Sequence, residues 1–158
     1  CGRPPYGDHV RFVWELRPAD GGGTPPATVS YRPHRMTRIV AAMISLGMVV
    51  DTGPPPKFPL WAVYGVSDFD SAGRPLGGRA GDYEAALARI LSHHGHTDEP
   101  GIPLHKLRTS LGWHVTADEC AAAIARFDAR SDEPPAVFGV RLVPFLRAAA
   151  AGDGFEVH

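Results

Sequence analysis

At 158 residues the chain is long enough for one domain with its own hydrophobic core, in which roughly two-thirds of the unfolded surface is buried without help from disulfides or metal. Its 16 basic and 17 acidic side chains leave a net charge of −1, so no global attraction for nucleic acid or an anionic membrane is expected. No apolar run approaches the ~20 residues of a membrane helix, and two cysteines, Cys1 and Cys120, are too few for a disulfide scaffold, which fits a reducing cytoplasm.

The start on Cys1 rather than Met reads as a truncated or processed beginning. A lipid-bearing cysteine would be followed by a polar tether, whereas here a strand pattern begins near His9. From His9 to Leu16, apolar Val10, Phe12, Trp14 and Leu16 fall at every second position, the period of a strand with one buried face. The Gly- and Pro-rich stretch from Arg17 to Ala27 is a loop, and Thr28 to Arg32 is a second β-prone run, so the two runs form an antiparallel hairpin. Between Pro33 and Gly47, residues Met36, Ile39, Val40, Met43, Ile44 and Leu46 recur at helical spacing and predict a helix from His34 to Leu46. Four prolines exclude regular structure from Thr52 to Pro59. Leu60 to Val66 reads as a strand or buried extended segment, and Ser67 to Gly81 as loop. A second helix is predicted from Asp82 to His94, with Tyr83, Ala86, Leu87, Ile90 and Leu91 on one face.

The stretch from Gly101 to Cys120 gathers the most signals. Leu104 to Arg108 and Trp113 to Thr116 are β-prone runs expected to pair through a turn at Thr109 to Gly112. A third helix starts after Thr116, where Thr-x-x-Glu119 is a capping box. After a polar break at Ser131 to Ala136, a last helix is predicted from Val137 to Ala151, kinked or delayed by Pro144, and Phe155 to His158 follows as a closing strand. The expected architecture is a single α+β domain over residues 1–158, a hairpin and short ribbons packed with about four helices. Its core is predicted to include Phe12, Trp14, Ile39, Met43, Leu87, Ile90, Ile124, Phe127, Leu142 and Leu146.

Three segments carry a resemblance: Y-R-P-H-R-M-T-R-I-V-A-A-M from Tyr31, G-I-P-L-H-K-L with G-W-H-V-T-A-D-E-C from Gly101 onward, and F-L-R-A-A-A-A-G-D-G-F-E-V-H from Phe145. On these the chain resembles a group of small actinobacterial proteins with no established activity. The resemblance implies a hairpin-like start, a Met-bearing helix and a final helix before a short strand; it implies no catalytic residues. An uninterrupted final helix would be expected of that group, and Pro144 departs from it.

In the expected ribbon, His105 lies diagonal to His114 on one face, within about 7 to 8 Å. That spacing suits two ligands of one zinc, with Asp118 as a further ligand or base, or a histidine pair around a phosphate or carboxylate; an ordinary polar ribbon face would look the same. Cys120 shares the core stripe of the third helix with Ile124 and Phe127, so it reads as a small buried hydrophobe rather than a thiolate. In the tract His93-His94-Gly95-His96, consecutive helical histidines point about 100° apart, and a helix C-terminus favours them without any metal. Asp68 to Gly73 opens like a calcium loop but places Ala72 and Arg79 where oxygen ligands are needed, and reads as a turn. Gly21 to Gly23 and Gly77-Gly78 match no nucleotide loop. Arg32, His34, Arg35 and Arg38 form a local cationic patch suited to phosphate or an acidic partner, or simply a solvated helix face.

The expected function is a non-catalytic binding or regulatory module for a protein partner or small-molecule ligand, with Trp113, His105, His114, Arg35 and Arg38 as contacts and no nucleic acid or membrane. The competing expectation is a zinc-assisted hydrolase built on His105, His114 and Asp118.

Overall fold

A computed structural model of the chain describes residues 11–17, 27–95, 98–130 and 133–158. Strand β1 (Phe12–Leu16) pairs antiparallel with β2 (Thr28–Tyr31), placing Trp14 opposite Val29 and Phe12 opposite Tyr31, so the expected hairpin forms. His9, Val10 and Gly21 to Gly23 lie outside the described residues, as do Cys1 and His96. Helix α1 (Pro33–Ser45) begins on a proline whose missing amide is no loss in the first turn, and it buries Met36, Ile39, Val40 and Met43 along one face. It leads into β3 (Val49–Val50), which pairs parallel with β6 (Ile102–Pro103).

Between β3 and β6 the structure departs from the expected strand at Leu60 to Val66. Trp61–Tyr64 is a 3-10 turn, and Leu60, Trp61 and Val63 are exposed. A small antiparallel ribbon of β4 (Asp68–Phe69) and β5 (Pro75–Leu76) closes around Asp70, whose Oδ1 accepts from the amides of Ala72 and Arg74. The Asp68 to Gly73 segment is therefore a turn. Helix α2 (Ala80–Ser92) follows, two residues earlier at each end than predicted.

The pairing predicted within Gly101 to Cys120 does not occur. Leu104–Arg108 is a short helix, α3, with Leu104 to Leu107 all buried, and β7 (Trp113–Val115) pairs instead with β8 (Phe155–Val157). β8 lies between β1 and β7, giving a four-stranded antiparallel sheet in the order β2-β1-β8-β7. Gly154 makes the tight approach into β8: its φ is +74°, and a Cβ there would collide with the Val115 carbonyl.

Helix α4 (Ala117–Arg130) starts on the predicted capping box, with the Glu119 amide donating to Thr116 Oγ1 (3.2 Å) and the Thr116 amide donating to Glu119 Oε1 (2.9 Å). A 3-10 turn at Ala136–Phe138 precedes α5 (Leu142–Ala151), so Pro144 sits in the first turn and delays the helix rather than kinking it. One sheet face, bearing Trp14, Trp113, Val115, Phe155 and Val157, is buried under the helices, with Trp14 stacked on Phe155 at 4.9 Å. Of the predicted core, Trp14, Ile39, Met43, Ile124, Phe127, Leu142 and Leu146 are buried, whereas Phe12, Leu87 and Ile90 are half-buried. The fold is α+β, and none of its described helices is long and apolar enough to cross a membrane.

Candidate functional site

Strand alternation separates the residues that the sequence suggested were neighbours. Trp113 points to the core face of β7 and His114 to the other, where α2 ends. His114 Nε2 donates to the Asp153 carbonyl (2.8 Å), which leaves Nδ1 to accept from the Ser92 hydroxyl (3.1 Å), so both ring nitrogens are engaged. His105, on α3, sits edge-on to the Trp113 ring at 4.9 Å and shares a hydrogen bond between its Nδ1 and Thr52 Oγ1 (3.2 Å). Asp118 is exposed on the first turn of α4. The zinc constellation of His105, His114 and Asp118 is thus not assembled, and among the described residues no three His, Cys, Asp or Glu side chains gather as a metal site. Nor do His105, His114 and Trp113 form an exposed surface, because all three are buried.

Beneath these residues lies a buried polar junction that the sequence reading missed. Lys106 is fully buried, and its ammonium donates to Glu119 Oε1 (2.7 Å) and to the carbonyls of His114 (2.8 Å) and Ser92 (3.0 Å). Its three protons thereby find three acceptors, the condition under which a buried ammonium is tolerated. Burial holds the Lys106 pKa below its usual value, with the Glu119 carboxylate acting in the opposite direction. The second Glu119 oxygen takes His94 Nδ1 (2.7 Å), while His94 Nε2 meets the Glu99 carbonyl (2.8 Å); both bonds are satisfied together only when each nitrogen carries a proton. Cys120 is completely buried, and burial, followed by the Glu119 charge, pushes its thiol up to about 12, which removes it as a nucleophile. A signal for the junction exists in the sequence, since Lys57 and Lys106 are the two lysines of a chain whose cations are otherwise arginine.

Beside the junction opens a cleft of about 710 Å³. The proline run Pro54–Pro56 and Phe58 form one wall, and Leu104, Leu111 and Trp113 line the other. Phe58 packs against Trp113 at 5.4 Å, and the Trp113 indole N–H is fixed by donation to Thr109 Oγ1 (2.8 Å). Lys57, Arg108 and Asp51 bring charge to the lining. His105 lies in the same lining with its Nε2 buried and without a hydrogen-bond partner. Burial, then the neighbouring Lys106 charge, lowers the His105 pKa to about 4, so near neutral pH this nitrogen belongs to an uncharged ring.

The cationic patch divides. All four side chains are exposed, but Arg35 alone is tied down, over the Tyr31 ring at 5.5 Å and to the Val137 carbonyl (3.4 Å), while no such contact is seen for Arg32, His34 and Arg38 among the described residues. Phe58, Leu60, Trp61, Val63, Phe69 and Leu76 are exposed large hydrophobics, three of them in the Leu60 to Val66 stretch whose composition suggests a strand or buried segment.

Fold and site together define an α+β protein with a charge-paired polar junction beside an open apolar cleft. Comparison with known protein families, with curated proteins and with solved structures finds no match to this chain.

Proposed function

We infer that the chain is a cytoplasmic, non-catalytic binding module that takes a small, planar, largely apolar molecule in the cleft between Pro54–Phe58 and Trp113. The observation that carries this reading is His105 Nε2, buried and unpartnered in the lining of a cavity of about 710 Å³. Small-molecule sites span roughly 300–1,000 Å³ and combine apolar walls with a few fixed polar groups, and an uncharged imidazole nitrogen beside two aromatic rings is such a group. Lys57 and Arg108 in the lining favour a ligand with an anionic substituent.

Screening planar aromatic carboxylates by NMR tests this directly, because the Trp113 indole N–H is a resolved reporter inside the cleft. The expected result is a saturable shift of that resonance, without a matching shift at Trp14, that disappears when Leu111→Trp fills the exposed side of the cleft. Absence of any saturable shift at Trp113 would overturn the reading. So would stoichiometric zinc lost in a His114→Ala variant, which would favour the hydrolase instead.

A further inference from the structure

A second groove, of about 590 Å³, runs along β2 at the opposite edge of the sheet from β7. Arg11, Arg35 and Arg141 line it together with Ser30, Tyr31 and the turn Phe138–Val140, and no carboxylate is among the lining residues. Each arginine reaches the groove by a different route: Arg11 precedes β1, Arg35 rises from the first turn of α1, and Arg141 caps α5. Arg11 Nη1 lies 3.4 Å from Ser30 Oγ. Arg35 Cζ lies over the Tyr31 ring, and Gly139 makes room for the side chain, since a Cβ at that residue would stand 3.1 Å from Arg35 Nη2.

Tyr31 adds a hydrogen-bonding group to this cationic lining. Its side chain is 5% exposed and its ring is fixed edge-on to Trp14 at 5.7 Å, so packing sets where its hydroxyl stands in the groove lining. Burial raises its pKa while the charges of Arg35 and Arg141 pull the other way, so both guanidinium groups stand close enough to act on the phenol. A protonated phenol in a groove lined by cations can donate to an anion bound there.

We propose that this groove is a phosphate site that binds the dianion of a small phosphate monoester, with Arg35, Arg141 and Arg11 as its cations and the Tyr31 hydroxyl as a fourth donor. Planar guanidinium groups pair two N–H bonds with two phosphate oxygens, and three such cations match a dianion better than a single carboxylate. The groove has room for the body of the ester beside its phosphate. With a chain charge of −1 there is no broad positive field to gather a polynucleotide.

The test is titration of isotope-labelled protein at pH 8 with inorganic phosphate and with phenyl phosphate, against sodium chloride at matched ionic strength. Saturable amide shifts at Ser30, Tyr31 and Gly139 to Arg141 are expected, with phenyl phosphate binding more tightly than phosphate. Arg141→Gln should weaken both by about tenfold and Tyr31→Phe by about threefold, as loss of a charge-assisted and of an ordinary hydrogen bond implies. Arg126→Gln, on the exposed side of α4 and outside the groove, should change nothing. Shifts that chloride reproduces, shifts that never saturate, or undiminished binding in Arg141→Gln would overturn the proposal. Tighter, steeply salt-dependent binding of a single-stranded oligonucleotide would overturn it as well, in favour of a nucleic-acid surface.

Discussion

His105 links a single protonation to the stability of the chain. Its folded pKa of about 4 lies below the ordinary histidine value of 6.5, chiefly because its ring is buried and secondarily because the Lys106 ammonium is adjacent. Above pH 6.5 the ring is neutral in both folded and unfolded chains. Between about 6.5 and 4 the unfolded chain takes up a proton that the folded one refuses, so stability falls as pH falls through that window. The loss is on the order of 2–3 kcal/mol by pH 4. Urea titrations at pH 7 and pH 4.5 should show wild type losing more stability than His105→Gln, which keeps a polar partner for Thr52 but cannot titrate. Equal losses in the two proteins would mean that His105 is not the group responsible. The residue type was legible in the sequence, but its environment was not. The strand-like composition of Leu104 to Arg108 puts His105 on a ribbon face, whereas one turn of helix buries four successive residues there.

At the scale of elements, Glu119 ties three of them together. It caps α4 through Thr116, holds α3 through Lys106, and fastens the segment after α2 through His94. The capping box was readable because its two members are three residues apart. The partnership with Lys106 was not, because it spans α3, a turn and β7, and nothing in local spacing encodes it. The two roles predict different costs. Thr116→Ala removes a cap and should destabilise by about 1 kcal/mol. Glu119→Gln leaves the Lys106 ammonium buried without a counter-charge and should cost about 3 kcal/mol or more. Chemical denaturation of the two variants checks the contrast, and similar costs would reduce Glu119 to an ordinary capping residue.

Over the whole molecule, the sheet joins the two ends of the described chain, because β8 fits between β1 and β7. The hairpin, α1 and α4 were legible because their periodicity and boundary residues are local. The position of β8 was not, since a three-residue strand declares neither its neighbours nor its place in a sheet. The cleft escaped for a related reason: its proline wall reads in the sequence only as a break in regular structure, and the turn opposite it as a connector. Lys106, fully buried against Ser92, His114 and Glu119, is one of just two lysines in the chain, and its side chain becomes a clock. In native protein an acetylating reagent should modify the exposed Lys57 at once, alongside the terminal amine, and reach Lys106 only when the molecule opens. Mass spectrometry of the two sites over time should give a fast step and a slow one that denaturant accelerates; equal rates would show that the junction opens on its own. One lysine of the two then counts unfolding events.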